Sequence, residues 1–95
     1  MRFDWDLAKS EANLRERGFD YAFASLLFEG STLEVEDRRQ DYGERRRVAI
    51  GRAGGVPLTV VYTDRTSGSG DIVRRIISAR RSNRHERKIY EQKIG

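Results

Sequence analysis

The sequence contains no cysteine and only one histidine, one proline and one tryptophan. Without cysteine the chain has no disulfide, thiolate nucleophile or thiolate metal ligand, and a single histidine without a partner at ligand spacing argues against a zinc site. No apolar run approaches the ~18 residues of a membrane span, and residues 1–6 do not resemble a signal peptide. We therefore expect a cytoplasmic protein that does not associate with a membrane and needs no cofactor or metal ion.

The chain is short and highly charged. Its 95 residues correspond to one domain, residues 1–95, because domains cluster at ~100–150 residues. Charged residues make up 36% of the sequence, hydrophobic residues 37% and aromatic residues 9%, and this aromatic content is typical of folded chains. The composition therefore predicts a single small folded domain.

The positive charge is concentrated in the last third of the chain. The net charge is +4, and sixteen of the nineteen basic residues are arginine. Residues 1–64 hold ten basic and twelve acidic side chains, whereas residues 65–95 hold nine basic and three acidic ones, which gives net charges of −2 and +6. A basic segment of this kind favours a polyanionic ligand.

The first third of the chain predicts two helices. Asp6 is a suitable N-cap for a helix over residues 7–17, and Gly18 can end that helix in a left-handed conformation. Asp20 is a second N-cap candidate, ahead of an apolar helix over residues 21–28 that we expect to be the more buried of the two.

The remainder of the chain predicts strands and one further helix. The period-two and β-branched stretches are residues 33–36, 47–52, 58–63 and 72–79. The glycine-rich stretches at 51–55 and 68–70 lack the lysine of a phosphate-binding loop, so we interpret them as hairpin turns. Ser82 can cap a final helix that begins at Asn83 and runs to about Lys93.

This order of elements predicts an α+β fold. Two N-terminal helices would pack on one face of a mainly antiparallel four-stranded sheet, followed by a C-terminal helix. Residues 3–5 alternate between apolar and polar side chains, but they are too few to predict a strand. Whether a short extra N-terminal strand is present is therefore left open.

The arginines of the last strand and helix are the strongest chemical signal. Alternation in a strand predicts that Arg74 and Arg80 share one face and that Arg75 and Arg81 share the other. One guanidinium group can bind two phosphate oxygens at once, and RNA supplies its own nucleophile, the 2′-hydroxyl. The predicted RNA-binding residues are Arg74, Arg75, Arg84, Arg87 and Lys88. From charge alone, a basic helix of this kind is usually a solvated surface, or else a docking surface for an acidic partner.

Several motifs, in order and spacing, are similar to one protein family. They are Phe3-Asp4-Trp5-Asp6 followed by Lys9, Asn13 and Gly18; Glu44-Arg45-Arg46 followed by Ile50-Gly51; and Ile76-Ile77-Ser78-Ala79-Arg80-Arg81 followed by Glu86-Arg87-Lys88 and Tyr90-Glu91. Together they resemble the BrnT family of bacterial type II toxins, relatives in fold of the RelE ribonucleases.

The resemblance implies an endoribonuclease toxin that arrests growth. It implies a RelE-like fold and neutralisation by a ribbon-helix-helix antitoxin, in an assembly of two toxins and two antitoxins that contacts DNA only through the antitoxin. The family's functional positions correspond to Lys9, Arg65, Arg80 and Arg81.

These residues suggest a mechanism as a hypothesis. Arg80 and Arg81 would clamp the scissile phosphate, Arg65 would hold a neighbouring phosphate, and Lys9 would assist attack or departure of the leaving group. Glu44 and His85 are the candidates for acid–base chemistry. Two alternatives stay open: a non-catalytic basic RNA-binding module, and a partner-binding subunit of a repressor complex.

Overall fold

The computed structural model describes all 95 residues and contains one mixed sheet of five strands. The strands are β1 Arg2–Trp5, β2 Leu33–Asp37, β3 Arg46–Ala53, β4 Val56–Thr66 and β5 Ile72–Arg81, and their order in the sheet is β1-β5-β4-β3-β2. The helices are α1 Leu7–Arg17, α2 Tyr21–Ser25, which continues as a 3-10 turn Leu26–Glu29, and α3 Arg84–Lys93. None of these helices is long and apolar enough to cross a membrane.

The α+β class and the antiparallel pairing of β2, β3, β4 and β5 are confirmed, and the sheet has five strands instead of four because the short N-terminal strand that the sequence left open is present. Residues Arg2–Trp5 form a fifth strand at the sheet edge that pairs parallel to β5, with Arg2 opposite Val73. Four residues carry too little pattern to predict a strand. This strand forms because β5, some 70 residues later, offers its free edge.

The predicted boundaries of the first two helices are largely confirmed. Asp6 Oδ1 accepts a hydrogen bond from Lys9 N at 3.1 Å, and Asp20 Oδ1 accepts one from Phe23 N at 2.8 Å. Gly18 ends α1 with a φ of 85°, in the left-handed region that favours glycine. The second helix is shorter than predicted, since it tightens into the 3-10 turn after Ser25.

The cap of the last helix is Asn83, so the predicted Ser82 cap is wrong. The Asn83 side chain accepts a hydrogen bond from Glu86 N, and the Glu86 carboxylate accepts one from Asn83 N, which makes a capping box. Ser82 is instead buried, and its hydroxyl shares a hydrogen bond with the Thr59 hydroxyl.

The core lies between the sheet and the layer made by α2 and the 3-10 turn. Its largest fully buried side chains are Tyr62, Leu27, Leu58, Ile76 and Val60. The opposite face of the sheet, which we call the open face, carries α3 at one end, where Thr59 and Glu86 are hydrogen-bonded.

Helix α1 buries polar side chains and exposes apolar ones, the reverse of a typical amphipathic helix. It buries the polar side chains of Ser10 and Asn13, and it leaves Leu7 66% and Leu14 50% exposed. Ser10 Oγ accepts from Tyr21 N at 3.0 Å, and Asn13 Nδ2 donates to the Phe19 carbonyl at 2.9 Å. Hydrogen bonds to the following segment, more than apolar contacts, therefore hold α1 in place.

A β-bulge in β5 overturns the predicted alternation of its arginines. Val61 lies opposite Ser78 and Tyr62 lies opposite Ile76, so Ile77 is an extra residue without a partner. Alternation therefore shifts by one residue at this point. Arg75 and Arg80 lie on the open face, and Arg74 and Arg81 lie on the helix-covered face.

Candidate active site

A small cleft lies at the end of the open face that α3 leaves uncovered. It has a volume of about 110 Å³ and combines the first turn of α1 with the start of β3, the end of β4 and the middle of β5. We call it the basic cleft. Its polar lining residues are Asp6, Lys9, Glu44, Arg46, Arg65 and Arg75.

The order of strands brings these residues together. Because β1 pairs parallel to β5, the chain leaves β1 next to Arg75 and immediately begins α1, whose first turn carries Lys9. Thr63 on β4 donates a hydrogen bond from its hydroxyl to the Arg45 carbonyl at 2.7 Å. This contact holds the segment that carries Glu44 against the end of the sheet.

Glu44 accepts hydrogen bonds from two arginines in the cleft. Its Oε2 lies 3.0 Å from Arg46 Nε, and its Oε1 lies 3.1 Å from Arg65 Nη2. The hydrogen bond from Arg46, supported by Arg65, lowers the pKa of Glu44 below its usual value despite the opposing effect of burial. Glu44 is therefore a carboxylate at neutral pH.

The other cations of the cleft differ in how they are held. Arg75 Nη1 donates to Asp4 Oδ2 at 2.8 Å, and the Arg46 guanidinium lies 4.1 Å from the centre of the Tyr42 ring. The Lys9 side chain is exposed and makes no hydrogen bond or ion pair. The lining thus holds four cationic and two anionic side chains, an excess that suits a phosphate group.

Arg80 and Arg81, which the sequence predicts to clamp one phosphate together, lie outside the basic cleft, and their catalytic roles stay predictions. Arg80 makes two hydrogen bonds to Glu86, at 2.7 and 2.8 Å, on the open face beneath α3. Arg81 donates to the Arg17 carbonyl at 2.6 Å on the other face. The two guanidinium groups are separated by the sheet, because neighbouring residues of a strand point in opposite directions.

Arg74 is held within the fold. Its guanidinium forms a pair of hydrogen bonds with Asp64, at 2.8 and 2.9 Å, and lies 4.1 Å from the Tyr62 ring centre and 4.7 Å from that of Phe28. Only 14% of the Arg74 side chain is exposed. This packing accounts for Arg74 without a ligand.

The remaining predicted residues lie on α3, at the far end of the open face. Arg84, His85 and Lys88 are exposed and have no side-chain partner, while Arg87 donates to the Ser82 carbonyl at 2.8 Å. The structure therefore brings Glu44, and not His85, to Lys9. No three His, Asp or Glu side chains are grouped so that they could hold a metal ion.

Arg46 and Asp6 line the basic cleft but are not among the site residues predicted from the sequence. Arg46 begins β3, and Glu44 lies in the bend two residues before it. The spacing of two residues between opposite charges could have indicated this ion pair, but residues 36–47 contain many other charges that give the same pattern.

Comparison with known proteins identifies the family. No curated protein gave a significant match. A family model described as the ribonuclease toxin BrnT of type II toxin–antitoxin systems matches residues 5–86, which include every polar residue that lines the basic cleft. The chain belongs to the BrnT family of ribonuclease toxins of type II toxin–antitoxin systems, a family whose members have a cognate antitoxin.

Proposed function

We propose that the chain is an endoribonuclease and that the basic cleft is where it cleaves RNA. The observation that carries this proposal is that Lys9, Arg65 and Arg75 line the same cleft as the Glu44 carboxylate, in a member of a ribonuclease-toxin family. Arginine binds phosphate oxygens in pairs and keeps its charge at any cellular pH. Arg65 and Arg75 would hold the scissile phosphate.

The proposed reaction transfers two protons. Glu44 accepts the proton of the 2′-hydroxyl as its oxygen bonds to phosphorus, and the bond from phosphorus to the 5′ oxygen breaks. The Lys9 ammonium gives a proton to that leaving oxygen. The products are a 2′,3′-cyclic phosphate and a 5′-hydroxyl, and the reaction requires no metal because RNA supplies the nucleophile and the cations stabilise the added negative charge.

Cleavage by the purified chain tests the proposal directly. Lys9→Ala and Arg65→Ala are each expected to lower the cleavage rate by about 10²–10³, the usual effect of removing one group that stabilises a transition state. Arg45→Ala is the matched control, because Arg45 belongs to the same segment but its side chain is 78% exposed and pairs with Glu36 outside the cleft. EDTA is expected to leave the rate unchanged.

The products distinguish this function from RNA binding alone. RNA that binds with a strong dependence on salt and stays intact would identify a non-catalytic RNA-binding module and would overturn the proposal. Fragments that end in a 2′,3′-cyclic phosphate, formed by the wild type and by Arg45→Ala, support it.

In the cell, we propose that this cytoplasmic chain arrests growth and is neutralised by a ribbon-helix-helix antitoxin. The proposed assembly contains two copies of each protein and contacts DNA through the antitoxin. Induction of the chain alone should stop growth, and co-expression of the neighbouring reading frame should restore it. If the Lys9→Ala variant arrests growth as strongly as the wild type, the basic cleft is not the cause of the toxicity.

A further inference from the structure

An apolar groove lies on the side of the molecule opposite the basic cleft. It has a volume of about 290 Å³ and is bounded by the end of α1, the start of α2, the β3–β4 hairpin and the end of β5. We call it the helix-face groove. Its lining residues are Leu14, Gly18, Phe19, Asp20, Phe23, Val56 and Arg81.

The apolar lining of this groove is unusually accessible. Leu14 is 50% exposed on its rim, and Phe23 and Val56 are half-buried in its walls. Leu14 is exposed because α1 turns its polar residues inward and holds them there by hydrogen bonds. An apolar concavity with a polar rim, left open to water, is typical of a protein-binding surface.

The charges around the groove specify what fits it. The Arg81 guanidinium lies 5.5 Å from the Phe19 ring centre, and its one hydrogen bond goes to a backbone carbonyl, so it lacks a carboxylate partner. Arg15 and Arg17, in the last turn of α1, also form no ion pair. The only acidic lining residue, Asp20, already accepts a hydrogen bond from Phe23 N as a helix cap.

We propose that the helix-face groove is the docking site of the antitoxin. An acidic, amphipathic segment of the antitoxin inserts an apolar side chain between Leu14, Phe23 and Val56, and places a carboxylate on Arg81. This rests on the proposed function, because it takes the occupant to be the toxin's own antitoxin. Burial of Leu14 supplies the apolar contact that α1 lacks within the monomer, and the unpaired guanidinium of Arg81 gains a charged partner.

The position of the groove has a consequence for neutralisation. The groove lies on the helix-covered face and the basic cleft lies on the open face, so a segment anchored in the groove does not itself fill the cleft. Anchoring and inhibition are therefore separate functions of the antitoxin. A change at Leu14 should weaken antitoxin binding and leave RNA cleavage by the free toxin intact.

The experiment measures the dissociation constant between the full toxin chain and the protein encoded by the neighbouring reading frame. Leu14→Glu and Leu14→Arg each place a charge in the groove, and both should weaken binding at least about tenfold. Leu14→Glu should have the larger effect, because it repels an acidic segment and Leu14→Arg does not. Leu7→Glu is the matched control, since Leu7 is an exposed leucine of the same helix outside the groove.

Each outcome decides the proposal. Unchanged affinity of both Leu14 variants overturns it, as does an equal loss in Leu7→Glu. If Leu14→Glu instead converts a dimer of the free toxin into a monomer, the groove binds a second copy and the proposal is wrong. RNA cleavage by the same variants is assayed separately, so failure of the proposed function appears as absent cleavage and failure of the groove proposal as unchanged affinity.

Discussion

At the scale of single residues, Glu44 differs from a typical general base. A general base is most effective when its pKa lies near the working pH, whereas hydrogen bonds from Arg46 and Arg65 lower the pKa of Glu44. Glu44 is thus always ionised near pH 7 but is a weak base. The cations of the basic cleft must therefore supply most of the rate enhancement by stabilising charge on the phosphate.

The pH dependence of cleavage should report the state of Glu44. The carboxylate is lost as the pH falls through its pKa, which Arg46 holds below the usual 4.5, so kcat/KM should decline only below that pH. Arg46→Gln removes the main cause of the shift and should move the decline to higher pH. The pH profile of kcat/KM for both proteins gives the result, with Arg45→Gln as the control. An unchanged profile in Arg46→Gln would exclude Glu44 as the base.

Glu86 should make stability depend on pH. Its hydrogen bonds with Arg80 lower its pKa from the usual 4.5 to about 2, so its contribution is complete above pH 4.5 and is lost as the pH falls towards 2. Glu86→Gln should lower the free energy of unfolding by about 1–2 kcal/mol at pH 7, a value reduced for the partial exposure of Arg80. Urea unfolding at pH 7 and pH 3 measures this.

The difference between wild type and Glu86→Gln should shrink at pH 3, because the unfolded wild-type chain binds a proton at Glu86 at that pH and the folded protein does not. Glu91→Gln, at an exposed residue of the same helix, is the matched control. A difference of equal size at both pH values would contradict the assignment.

At the scale of elements, one glycine sets the distance between β3 and the 3-10 turn. A Cβ at Gly51 would lie 3.0 Å from Leu27 Cγ and 3.3 Å from Thr32 Cγ2, and Leu27 is fully buried. Gly51→Ala should therefore lower the free energy of unfolding by about 1–2 kcal/mol through overpacking. Gly68→Ala is the matched control, since nothing lies within 4 Å of its Cβ position, and chemical denaturation should place it within about 0.5 kcal/mol of wild type.

The elements also show where sequence patterns fail. The helix caps at Asp6, Asp20 and Gly18 are predictable, because they depend on hydrogen bonds within a few residues. The bulge at Ile77 and the pairing of β1 with β5 depend on strands that are distant in sequence. A single inserted residue reverses every later side chain in a strand, and so the predicted grouping of the β5 arginines was wrong.

At the scale of the whole molecule, positive charge lies in two separate places on the open face. The basic cleft is at one end, and the exposed side chains of Arg84 and Lys88 on α3 are at the other. This arrangement suits a strand of RNA whose scissile phosphate lies in the cleft and whose flanking phosphates reach α3. The binding roles of Arg84, Arg87 and Lys88 stay predictions.

The salt dependence of RNA binding tests that arrangement. Each phosphate contact on a single strand contributes ~0.7 to the slope of log K against log salt, so the double variant Arg84→Gln/Lys88→Gln should reduce the slope by about 1.4. Binding of a non-cleavable RNA with a 2′-deoxy group at the cleavage position provides the measurement. Arg15→Gln, on the helix-covered side, should keep the wild-type slope, and an unchanged slope in the double variant would remove α3 from the RNA path.

The sequence by itself determined the α+β class, the antiparallel order of β2 to β5, the caps of the first two helices and the concentration of positive charge in the last third, because these follow from local pattern and composition. It also carried the motifs of the family. Only the tertiary structure decided which charges meet. Lys9, Glu44, Arg65 and Arg75 come from four separate segments, and they are brought together by a parallel edge strand and by the register of β4 with β5, which no local pattern specifies.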